Sequence, residues 1–105
     1  MPLSNPAFSD VRREDRDEVH YRARGTAADG RALKLVLVNT STGGFMARCE
    51  AALESGATIG ISLPLVGKRL ATIRWALGGR IGCEFEQPIP LARYYELLAE
   101  LQKEQ

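Results

Sequence analysis

The sequence predicts an antiparallel all-β domain, a barrel or a sandwich, finished by one amphipathic helix. Three observations carry that expectation. From Val19 onward, short apolar stretches alternate with period two, as half-buried strands do. Glycine-rich turns separate them at short intervals. After Pro88-Ile89-Pro90 the period changes to three and four.

The elements follow in order. Residues 1 to 11 hold two prolines, two serines and an asparagine and read as a flexible arm, leaving 12 to 105 as a single domain. The first strand runs into Asp29-Gly30, a hairpin turn whose residues tolerate positive φ. Leu33 to Val38 is apolar on both faces apart from Lys34, which predicts a strand covered on both sides. Thr58 to Leu63 puts Ile59, Ile61 and Leu63 on one face and Thr58, Gly60 and Ser62 on the other. Leu70 to Leu77 places Ala71, Ile73, Trp75 and Leu77 inward, so Trp75 is expected in the core rather than stacked on a ligand. Gly78-Gly79 turns the chain, and Ile81, Cys83 and Phe85 continue the inward pattern. Leu91, Tyr94 or Tyr95, Leu97, Leu98 and Leu101 then form one helical stripe, to lie across an open end or face of the sheet.

Composition narrows the function. With 105 residues there is material for one core, and the net charge of +1 supplies no field to recruit nucleic acid or an anionic membrane. The uncharged stretches 35–47 and 55–67 fall short of the ~18 apolar residues that span a bilayer. No secretory signal is evident, so the cytoplasm is the simplest compartment. Cys49 and Cys83 lack metal or redox spacing and read as small hydrophobes. His20, alternating with Arg22 and Arg24, reads as a surface residue. With no nucleophile–base arrangement, a non-catalytic protein is expected. Arg69, Arg74 and Arg80 read equally well as an outer basic patch or as solvated hairpin charges.

Two short motifs stand out. Arg12 and Arg16 are four residues apart on a polar segment, with Arg13 between them. Asn39-Thr40-Ser41-Thr42-Gly43-Gly44 follows at the end of a strand. An Arg-x-x-x-Arg followed by Asn-x-Ser-x-x-Gly resembles the signature of the PilZ domain. Gly82-Cys83-Glu84-Phe85 is similar to the Gly-x-x-Phe of that family's last barrel strand. The resemblance spans residues 12 to 101 and implies a six-stranded antiparallel β-barrel with a C-terminal α-helix.

It also implies a ligand, cyclic di-GMP, with no other cofactor. Arginine suits it because the guanidinium fork pairs with phosphate oxygens and with the O6/N7 edge of guanine, and stacks on purine faces. The resemblance gives Arg12 and Arg16 the role of an arm that closes on nucleotide held against the barrel, with Arg13 assisting. Asn39 and Ser41 would offer an amide and a hydroxyl, while Gly43 and Gly44 would let a base approach the backbone or allow positive φ. Closure would create a surface for a downstream protein in motility, adhesion or polysaccharide export. Glu14, Asp15, Asp17 and Glu18 surround the arginines and favour the alternative, a PilZ-fold interaction module that has lost nucleotide binding. A nucleic-acid-binding barrel would need aromatic platforms beside a basic groove, and the seven aromatics are mostly assigned to core strands or the helix.

Overall fold

The computed structural model describes residues 16–103, so the arm at 1 to 11 and the roles expected of Arg12 and Arg13 lie outside the described residues. Six strands form a closed antiparallel barrel: β1 (Asp17–Thr26), β2 (Ala32–Thr40), β3 (Gly44–Arg48), β4 (Thr58–Leu63), β5 (Gly67–Leu77) and β6 (Arg80–Phe85). Around the barrel the order is β1-β2-β3-β6-β5-β4, and β4 pairs with β1 to close it. Residues 49–57 carry the chain from β3 to the far side of β1, where β4 begins. No helix among the described residues is long and apolar enough to cross a membrane.

Turn chemistry follows the sequence in full at Gly78-Gly79 and in part at Asp29-Gly30. In the β1–β2 hairpin only Gly30 takes positive φ, at 93°, while Asp29 instead binds the Arg31 amide and guanidinium. Those contacts hold the Asp29 carboxyl below its usual range. Gly78 and Gly79, with φ of 62° and 78°, turn β5 into β6 with both central residues left-handed, as a two-residue type I′ hairpin requires.

The core is the barrel interior. Leu35, Leu37, Phe45, Ile59, Ile61, Ile73 and Ile81 are almost completely buried, and the rings of Phe45 and Phe85 stand 5.5 Å apart. Ile59, Ile61 and Leu63 point inward as their alternation predicts. β2 departs from expectation: Leu33, Leu35 and Leu37 are buried, whereas Val36 and Val38 are only partly covered. Among the described residues no second layer covers β2, so Val36 and Val38 on its outer face are half-buried rather than enclosed.

Helix α1 (Leu91–Gln102) starts directly after Pro90 and buries Tyr94, Leu97 and Leu101 while leaving Leu91 and Tyr95 exposed. It packs against β1 at one barrel end. The Tyr94 hydroxyl lies 2.5 Å from Asp17 Oδ2 and 3.1 Å from the Thr40 carbonyl oxygen, and Gln102 Nε2 donates to the Glu18 carbonyl. Burial, and then the Asp17 carboxylate, push the Tyr94 phenol well above its ordinary range, so it remains a donor. The helix is thereby fixed to the start of β1 and the end of β2, beside the Asn39–Gly44 turn.

Candidate functional site

The Asn39–Gly44 motif is the hairpin between β2 and β3. The Ser41 amide donates to the Gly44 carbonyl at 2.9 Å, Thr40 Oγ1 donates to the same carbonyl at 3.1 Å, and the Gly43 amide donates to Ser41 Oγ at 3.2 Å. From outside, the Phe85 amide binds the Gly43 carbonyl and the Ile89 amide binds that of Thr42. Thr40 and Ser41 are each only 1% exposed. Ser41 is therefore placed inside the turn, where its hydroxyl shapes the loop.

Gly44 is glycine for a reason the sequence did not reveal. A Cβ there would stand 2.1 Å from the Cys83 carbonyl oxygen, so the bare backbone is what lets β6 approach β3. Its φ is not positive, so the left-handed option does not apply.

Arg16 lies immediately before β1 and donates from Nη1 to Asn39 Oδ1 at 2.8 Å. Asn39 in turn places its amide nitrogen 3.9 Å from the Met46 sulfur. The two motifs thus meet. Asp17 and Glu18, which follow the arginine motif, are strand residues paired with Thr40 and Asn39.

Strand register extends this meeting point into a wall. Asn39 is opposite Met46, Met46 opposite Gly82, and Gly82 opposite Trp75. Trp75 is not in the core: it is 43% exposed. The register shifts between Ile73 and Trp75, and this irregularity turns Trp75 and Leu77 to the outer face after Ala71 and Ile73 have faced inward. The indole then covers Gly82, where any Cβ would meet Nε1 at 2.1 Å. A strict alternation cannot foresee such a shift, although the glycine facing a tryptophan was a readable sign of close contact.

Arg16, Gly43, Gly44, Arg74, Trp75 and Glu84 line an open depression of about 230 Å³. Arg74 and Glu84 were not foreseen there; they form an exposed ion pair at 2.6 Å. Arg69, Arg74 and Arg80 do not make one patch, because Arg69 is half-buried opposite Ile61 and Arg74 is held by Glu84. The depression offers guanidinium groups, an indole face and a bare glycine backbone, which suits a flat anionic ligand. Among the described residues, no group of three His, Cys, Asp or Glu side chains could hold a metal ion. Compared with known proteins, the chain matches no family model and no curated protein.

Proposed function

We propose that this chain is a PilZ-like, non-catalytic receptor for cyclic di-GMP, acting in the cytoplasm. One observation carries the reading: Arg16 and Asn39, from the two motifs, are hydrogen-bonded at the edge of the depression beside Gly44 and Trp75. In this reading Arg16 exchanges Asn39 for a phosphate or a guanine edge, a stronger, charge-assisted partner. Arg12 and Arg13 take the closing role that the motif implies. Trp75 supplies a stacking face, and Asn39 with the Gly43–Gly44 backbone supplies the resting surface.

The size of the depression supports an arm as part of the mechanism. Pockets that enclose a drug-sized ligand measure about 300–1,000 Å³. This one is smaller and open, so a dinucleotide would lie against the wall and need covering from outside. Asp17 accepts from the Tyr94 hydroxyl, which ties its carboxylate to the helix. An ordered arm would then present a new surface to a downstream protein in motility, adhesion or polysaccharide export.

The alternative is a PilZ-fold interaction module without nucleotide binding. Glu84 favours it, since its carboxylate lines the depression and would face the phosphates unless Arg74 continued to neutralise it. Calorimetric titration with cyclic di-GMP, and in parallel with cyclic di-AMP, separates the two. Saturable binding of the guanine ligand alone supports the receptor, and no binding of either supports the module.

A further inference from the structure

We infer that the outer face formed by β1, β2, β3 and β6 docks an acidic segment of a partner protein carrying one apolar anchor residue. Register places the residues. Arg22 is opposite Val36, Val36 opposite Arg48, and Arg48 opposite Arg80; in the next row Arg24 is opposite Lys34. Directly opposed residues share a face, and all five cations are exposed. Three strand spacings of about 4.8 Å make the first row about 14 Å long.

Two of these pairs, Arg48 with Arg80 and Arg24 with Lys34, set like charges directly across from each other, an arrangement that destabilises a sheet. No ion pair relieves it, because the pairs among the described residues use Arg31, Arg74, Arg93 and Lys103 instead. A chain of net charge +1 has thus gathered five unpaired cations in two adjoining rows. A repulsive arrangement with no internal partner is explained by an external anion.

The shape of the face selects the anion. A depression of about 450 Å³ lies among the cations, with Ala32, Val36 and Ala51 in its lining and Lys34 and Arg48 at its sides; Glu50 also lines it. Leu77, 79% exposed, adjoins the row opposite Arg80. An apolar hollow flanked by the Lys34 ammonium and the Arg48 guanidinium fits a buried side chain between carboxylates. Single-stranded nucleic acid would need a run of stacking rings, whereas neither row contains an aromatic residue and the adjoining row supplies Trp75 alone. The inference is independent of nucleotide binding.

The test uses the full chain without nucleotide. The probe is a synthetic peptide of Asp and Glu flanking a single Leu, compared with its Asn/Gln counterpart, a single-stranded oligonucleotide and phosphatidylglycerol vesicles. The acidic peptide should bind, more weakly as salt is raised, and the uncharged one should not. The double variant Arg48→Gln/Arg80→Gln should lose affinity by about tenfold or more while melting no lower than wild type. Arg93→Gln, the same change on the helix, should leave affinity unaltered. Three results would each overturn the inference: no binding of the acidic peptide at millimolar concentration, equal binding by the double variant, or tighter binding of oligonucleotide or vesicles.

Discussion

Arg16 and Asn39, separated by 23 positions, are joined by a 2.8 Å hydrogen bond from the guanidinium to the side-chain carbonyl. The bond is exposed and neutral on the acceptor side, so it holds Arg16 in place without competing strongly against an anion. Arg16→Ala should therefore weaken cyclic di-GMP binding by roughly 10- to 150-fold, the equivalent of ~1.5–3 kcal/mol for charge-assisted bonds. Its melting temperature should stay close to wild type. Calorimetry and a thermal melt on the same sample check both halves.

Trp75 is the sole tryptophan, and it stands at the depression rather than in the core. Its fluorescence should thus report directly on ligand binding, with a guanine stacked on the indole quenching emission. Trp75→Ala should lose ~1–3 kcal/mol of binding for the unstacked base. Unchanged emission at saturating nucleotide would place the base elsewhere.

At Gly44 stability, rather than ligand access, is expected to respond first. Gly44→Ala drives a methyl group to 2.1 Å from the Cys83 carbonyl oxygen, and only strand movement relieves that contact. Overpacking of this kind costs about 1–3 kcal/mol, read as a lower urea midpoint. A variant as stable as wild type would show that β3 and β6 separate easily.

Tyr94→Phe should cost about 1–3 kcal/mol, because it removes the hydroxyl and leaves the Thr40 carbonyl and Asp17 without that partner. Amide exchange should quicken at the start of β1 and the end of β2, the segments this residue ties together. Uniform protection across both strands would argue against the anchor.

Alkaline pH probes the barrel wall behind the depression. Burial, with the neighbouring Cys49 adding to it, pushes the Cys83 thiol from an ordinary 9.0 up to about 12. The unfolded chain then releases this proton near pH 9 while the folded chain retains it. Stability from this group is fully present below pH 9 and declines as pH rises toward 12. Urea midpoints measured across that range should fall less steeply in Cys83→Ala; an identical slope would show that the thiol is not the source.

Elements whose signal is local were legible in the sequence. Gly78-Gly79 permits the left-handed backbone that a two-residue turn needs whatever surrounds it, and the leucines from 97 to 101 define a helical stripe without reference to any neighbour. The change at Pro88-Ile89-Pro90 marks the boundary for the same reason. What escaped depended on register. The irregularity between Ile73 and Trp75 reverses the face of every residue after it, and nothing in β5 alone announces it. Likewise, the burial of Ser41 and the role of Gly44 follow from how β6 closes on the hairpin. Arg16 meets Asn39 because the start of β1 pairs with the end of β2, and Arg74 and Glu84 also came to the depression through strand pairing that no spacing rule encodes.

The central claim is that cyclic di-GMP rests against the wall that runs from Asn39 to Trp75. Titrating isotopically labelled protein with the nucleotide while following backbone amide and indole resonances tests it most directly. Saturable shifts are expected at Asn39, Gly43, Gly44, Gly82 and Glu84 and at the Trp75 indole, all reporting one dissociation constant. Resonances that stay still at millimolar nucleotide, or shifts confined to the Arg48–Arg80 end of the barrel, would contradict it.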